Sequence, residues 1–109
     1  QYDSVDQFEN IYSQEDMTNM KLSMSATTVS GSVPVTITYN VIKPGQVSLK
    51  VYDVYGVLKQ TVMDEYKTFS KEAVTTTTSL TGLTESGIYL LRLDGPNNEQ
   101  YVRFRYNAE

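Results

Sequence analysis

Between residues 33 and 41 apolar and polar side chains alternate without a break: Val33, Val35, Ile37, Tyr39 and Val41 on one parity, Pro34, Thr36, Thr38 and Asn40 on the other. A period of two sorts these sets onto opposite faces of a pleated strand, which a helix cannot do. The same period runs through Met20, Leu22 and Met24, set against Lys21, Ser23 and Ser25, with Ser30-Gly31-Ser32 joining the two runs. It returns in residues 47–52, where Val47, Leu49 and Val51 point inward and Ser48, Lys50 and Tyr52 outward. Turn formers fall between the runs. Lys43-Pro44-Gly45-Gln46 has the residues of a type II turn, and Gly56 permits the left-handed residue of a tight hairpin into a strand over 57–63. In that strand Leu58 and Val62 compete with Val57 and Met63 for the inward face. Residues 64–72 are charged and read as an exposed connection, and the threonines at 75–78 as a solvated edge strand. Leu80 and Leu83 lead into Glu85-Ser86-Gly87 and a strand over 88–93; Asp94-Gly95-Pro96-Asn97-Asn98 then turns the chain into a last strand over 101–106. About seven short strands at turn-marked intervals predict an all-β fold, an immunoglobulin-like antiparallel β-sandwich over residues 20–109.

Composition agrees, since 41 of the 109 residues are Val, Ile, Thr, Tyr or Phe. The chain has no His and no Cys. Ser-His-Asp and Cys-His nucleophiles are therefore excluded, as is zinc held by imidazole and thiolate. The longest apolar run, Ile88-Tyr89-Leu90-Leu91, is far below the roughly 20 residues of a membrane helix. A formal net charge of −4 argues against nucleic acid as a partner. That charge is unevenly placed. Residues 1–16 contain Asp3, Asp6, Glu9, Glu15 and Asp16 and no base, giving −5 and leaving nine bases against eight acids in the rest. Residues 1–19 thus read as an acidic arm, in which the spacing of Tyr2, Val5, Phe8 and Tyr12 predicts a short amphipathic helix. Gln1 in place of Met points to a chain from which a leader has been removed.

Two segments carry a family resemblance. Val47-Ser48-Leu49-Lys50-Val51-Tyr52-Asp53-Val54-Tyr55-Gly56-Val57-Leu58-Lys59 resembles the Tyr-Asp-x-x-Gly hairpin of the C-terminal sorting domains of type IX bacterial secretion. Residues 80–93 resemble the same family's Leu-x-x-Leu-x-x-Gly-apolar-Tyr motif, through Leu80, Leu83, Gly87, Ile88 and Tyr89. Similar hairpins occur in the immunoglobulin-like domain of flagellar hook-capping proteins and in small secreted proteins of unknown function from gut and oral bacteria. With no cargo domain and an ending of Asn107-Ala108-Glu109, the chain is most similar to the last group. The resemblance implies an exported protein, secreted, periplasmic or at the cell surface. It implies structural roles for Tyr52, Asp53, Gly56, Gly87 and Tyr89 and brings no catalytic residue.

Without His and Cys, catalysis would need paired carboxylates, and nothing in the spacing of Asp53, Asp64, Glu65 and Glu85 marks two as convergent. Asp94, Asn97, Asn98 and Glu99 do not follow the ligand pattern of a calcium loop and suit a turn instead. The reading is a non-enzymatic module with no metal and no cofactor. Its binding residues come from the last hairpin. With Arg92 opposite Tyr101, the side chains of Leu91, Leu93, Val102, Phe104 and Tyr106 face the core, while Ile88, Leu90, Arg92, Tyr101, Arg103 and Arg105 share the outer face. The 47–52 strand alongside adds Lys50 and Tyr52. Three occupancies of this basic, aromatic face stand open, beside scattered surface arginines with no shared role: the acidic arm of the same chain, with Tyr2, Val5 and Phe8 over Ile88 and Leu90; a protein or acidic glycan partner; or a dimer made by exchange of the arm. A purely structural role within a surface or secretion assembly is the alternative to a binding or adhesion module.

Overall fold

A computed structural model describes residues 21–96 and 99–108. The acidic arm over 1–19, with its expected helix, lies outside the described residues, as do Asn97 and Asn98 of the last turn. Among the described residues eight strands form: β1 (Leu22–Met24), β2 (Thr28–Ser30), β3 (Val35–Val41), β4 (Gly45–Asp53), β5 (Leu58–Lys67), β6 (Ser70–Thr78), β7 (Gly87–Asp94) and β8 (Glu99–Asn107). They make a three-stranded sheet of order β1-β3-β6 and a five-stranded sheet of order β2-β8-β7-β4-β5. This is the two-sheet, Greek-key arrangement of an immunoglobulin-like sandwich. All pairs are antiparallel except β2 with β8, which is parallel.

The alternation decides which faces meet. Val35, Ile37, Tyr39 and Val41 of one sheet bury against Val47, Leu49, Val51, Leu91, Leu93 and Phe104 of the other, with Val29 as the single inward residue of β2. Val102, expected in the core, is half-buried at its margin. Val33 stays exposed because β3 begins only after Pro34.

Three expectations are corrected. Residues 64–72 are not a connection: β5 runs on to Lys67 and β6 starts at Ser70, leaving only Thr68 and Phe69 between them. The charges that suggested a loop are those of an edge strand, where Lys and Glu discourage further pairing. Gly45 does not sit in a type II turn. It opens β4 with φ of 156°, and its requirement is room, since a Cβ there would lie 2.4 Å from Pro96 Cγ. Finally, neither facing expected for β5 holds along its whole length. The β4–β5 register shifts between Leu49 and Lys50 and again between Val51 and Tyr52, leaving Val62 and Lys59 without a partner in the ladder. Each bulge inverts the parity of the residues beyond it, so Met63 and Gln60 face inward while Thr61 and Leu58 face outward.

Two local devices hold the ends. At the β4–β5 hairpin, Asp53 Oδ1 accepts hydrogen bonds from the amides of Tyr55 and Val57, both at 2.9 Å, around Gly56 at φ 84°. Where β6 leaves one sheet and β7 enters the other, Leu80 and Leu83 plug the core and Gly82 presses on β5. Gln60 reaches across from β5 to this turn, donating from Nε2 to the Ser79 carbonyl at 3.1 Å and accepting from the Gly82 amide at 2.8 Å. Tyr89 closes the same crossing: its hydroxyl donates to the Glu85 carbonyl at 2.7 Å and its ring packs on Phe104 and Tyr106. That is a tyrosine corner. Burial first, then the carboxylates of Glu85 and Asp53, push the Tyr89 phenol above its ordinary value near 10.

Two stability measurements test these contacts. A Cβ at residue 82 would lie 2.4 Å from the Lys59 carbonyl oxygen and 2.9 Å from Gln60 Cβ; urea denaturation of Gly82→Ala should show a loss of about 1–3 kcal/mol, as for other overpacked sites. Tyr89→Phe should lose about 0.5–1.5 kcal/mol near neutral pH, the worth of one hydrogen bond. A phenol whose folded value is raised stabilises the fold fully below its unfolded value near 10, and that stabilisation disappears as pH climbs through the folded value. The stability gap between wild type and Tyr89→Phe should therefore shrink above about pH 10 in paired melts, and a gap that widens there would refute the corner assignment.

Candidate functional site

The outer face of the five-stranded sheet collects all six residues singled out in the sequence. Its cross-strand rows are set by the registers. Lys50, Arg92 and Tyr101 lie side by side across β4, β7 and β8. The next row is Leu58, Tyr52, Leu90 and Arg103, and beyond it Ile88 stands beside Arg105, which neighbours Thr28 of β2. The expected pairing of Arg92 with Tyr101 is present.

Proximity has not made these groups equivalent. Arg92 is held on three sides: Nε donates to Asp94 Oδ1 at 2.9 Å, the guanidinium forks onto both carboxylate oxygens of Glu99 at 2.9 and 3.0 Å, and Tyr101 offers its ring 5.9 Å from Cζ. The hydrogen bond to Asp94, with the nearby Glu99 charge, raises the Arg92 pKa further above its already high value. Lys50 lies 4.0 Å from Asp64, whose other oxygen accepts from Gln46. The lower half of the face is therefore neutralised by its own acids. Arg103 and Arg105 differ. Both are exposed, and among the described residues neither has a carboxylate partner; Arg105 reaches only the neutral Asn107 Oδ1, at 3.3 Å. The cationic character of the face thus narrows from a spread over β4, β7 and β8 to two arginines on the upper half of β8.

Beside them lies an apolar band. Ile88, Leu90 and Tyr52 lie on the outer face as expected and are half-buried there, and the band continues into Leu58, 48% exposed, and the hairpin tip at Val54, Tyr55 and Val57. Tyr55 is 88% exposed. Sequence reasoning missed this extension because the two bulges in β5 hide that Leu58, rather than Gln60, lands beside Tyr52; four apolar side chains around a glycine turn were the available signal.

A cleft of about 410 Å³ opens between this hairpin tip and residues 84–89. Its walls include Asp53, Lys59, Glu85 and Tyr89. Asp53 already serves the hairpin amides and lies 3.9 Å from Lys59, and Tyr89 serves the Glu85 carbonyl. Among the described residues no cluster of three acidic, His or Cys side chains is placed to hold a metal ion.

No family model matches the chain, and no curated protein matches it. Among solved structures it is similar to the sulfur carrier protein SoxY from Chlorobium limicola f thiosulfatophilum, over 84% of this chain and 80% of that one, at 8% identity and a TM-score of 0.40. A likeness that distant carries no argument about this chain.

The division of the face can be measured. Arg92→Ala breaks a forked ion pair and should destabilise by up to about 1 kcal/mol, because partly exposed pairs are well screened. Arg103→Ala should stay within about 0.5 kcal/mol of wild type. Equal losses in the two variants would contradict the assignment of Arg92 to the fold and Arg103 to the free surface.

Proposed function

We propose that the chain is an exported, non-enzymatic binding or adhesion module whose recognition surface is the upper outer face of the five-stranded sheet. One observation carries the reading: exposed Arg103 and Arg105, without carboxylate partners among the described residues, stand beside a continuous apolar band of Ile88, Leu90, Tyr52 and Leu58. Arginine and aromatic groups around an apolar centre are the mixture favoured at recognition surfaces, and a face meant only for water has no use for the leucines. Arg92, Lys50 and Tyr101 support that surface from below. The partner is a protein or glycan carrying negative charge. Export is supported by the resemblance of residues 47–59 and 80–93 to domains of secreted bacterial proteins.

Acidic and neutral glycan arrays, together with immobilised envelope proteins, test this with the full chain. Arg103→Glu combined with Arg105→Glu should weaken retention on the acidic probes about tenfold or more, a step of 1.4 kcal/mol, and raised salt should do the same to wild type. Identical retention of variant and wild type on every probe overturns the reading. Recovery of the native protein in the cytosolic fraction would contradict export.

A further inference from the structure

We infer that this face has an occupant within the chain: the acidic segment preceding Lys21 binds across Arg103, Arg105 and the apolar band. The inference rests on the binding reading above and adds the chemistry of the ligand, an acidic segment carrying apolar side chains. Charge is the first argument. Residues 1–16 hold five carboxylates and no base, whereas the rest of the chain sums to +1. On the outer face the acids Asp94, Glu99 and Asp64 are taken by Arg92 and Lys50, and among the described residues the cations left over are Arg103 and Arg105. The chain's surplus of negative charge and this pair of arginines are complementary.

The second argument is what else the segment brings. Tyr2, Val5 and Phe8 are large apolar groups interspersed with Asp3, Asp6 and Glu9. The face has the matching pattern, with Ile88 and Leu90 flanked directly by Arg105 and Arg103. An apolar group and a carboxylate can both be met within one residue pair of each other.

Position is the third. Lys21 is fixed at the lower end of β1 by exchange with Asn40, its amide donating to Asn40 Oδ1 at 2.6 Å and its carbonyl accepting from the Asn40 amide at 3.3 Å. β1 lies against β8, the strand that carries both arginines. β2 pairs only with residues 105–107 of β8, so among the described residues no strand pairs with the backbone edge of 99–104 on that side. Lys21, to which the segment is joined, therefore lies on the strand next to the one that borders the face. Twenty residues can span up to about 70 Å when extended, more than the 51 Å length of the domain, so reach sets no obstacle.

The chain's lack of cysteine permits a clean test in the full-length protein. A spin label on Ser4→Cys, read by amide signals in a ¹⁵N-labelled sample, should remove most of the intensity of Leu90, Arg103 and Arg105 and leave residues 75–78 on the opposite sheet unchanged. Arg103→Glu with Arg105→Glu should restore the lost intensity. Uniform intensities in the wild-type chain overturn the inference. So does broadening seen only when unlabelled-nitrogen, spin-labelled chain is mixed with ¹⁵N chain, since the occupant would then be a second copy's segment. The two readings separate cleanly. Absent broadening with retention still sensitive to the arginine pair removes the occupant and keeps the binding face; broadening with insensitive retention keeps the occupant and removes the outside partner.

Discussion

Everything on the outer face depends on a contact made on the inner side, where the turn after β6 is pressed against β5. The chain has to pass there from the three-stranded to the five-stranded sheet, and a passage between sheets exposes backbone groups that no ladder can satisfy. Leu80 and Leu83 bury the crossing, and Gln60 meets two of its polar groups from an inward position. Gln60 faces inward only because β5 carries a bulge on either side of the Gln60–Thr61 pair. The absence of a side chain at Gly82 lets the turn approach the Lys59 carbonyl. Bulge, glutamine and glycine are one device: the bulges turn the Gln60 side chain toward the crossing, and the absence of a Cβ at Gly82 lets the turn come close enough to use it.

The same bulges organise the far side of the strand. Between them the parity of β5 is set for Gln60 to point in and Thr61 out; past the second one Leu58 emerges beside Tyr52. The apolar band on the outer face thus owes its last member to the geometry that seals the inner face. The tyrosine corner acts similarly at the start of β7. By tying Tyr89 inward to Glu85, it fixes the parity that sends Ile88 and Leu90 outward, since neighbours along a strand take opposite faces.

This explains which parts of the molecule were legible in the residues. Strands β3, β4 and β8 alternate, so their facing could be read directly, and that of β7, whose Ile88-Tyr89-Leu90-Leu91 run has no period, follows once Arg92 is set opposite Tyr101. β5 could not. A bulge is invisible to a period-two count, and the ambiguity among Val57, Leu58, Val62 and Met63 was its only trace. The charged residues 64–67 looked like a loop because an edge strand and a loop satisfy the same composition. The basic face was legible as a set of positions and misread as a uniform field. The register that brings Arg92 to Tyr101 also brings Asp94 to Glu99, two residues away on each strand, and that acidic pair removes Arg92 from the free surface.

Local neutralisation has a consequence for how the face acts at a distance. At ordinary ionic strength exposed charges are felt over about 8–10 Å, roughly two strand spacings of 4.8 Å. Over that range the Arg92 cluster sums to −1 and the Lys50–Asp64 pair to zero, while Arg103 and Arg105 sum to +2. The face is therefore a gradient across one hairpin, positive at the top and faintly negative at the bottom. A uniformly basic sheet would attract any acidic body in any orientation. A gradient selects orientation as well, favouring a ligand whose negative and apolar groups meet the upper half together while its remaining length avoids Asp94 and Glu99. Orientation of that kind acts mainly through encounter and register, whereas the apolar band of Ile88, Leu90, Tyr52 and Leu58 supplies the area that keeps a ligand in place.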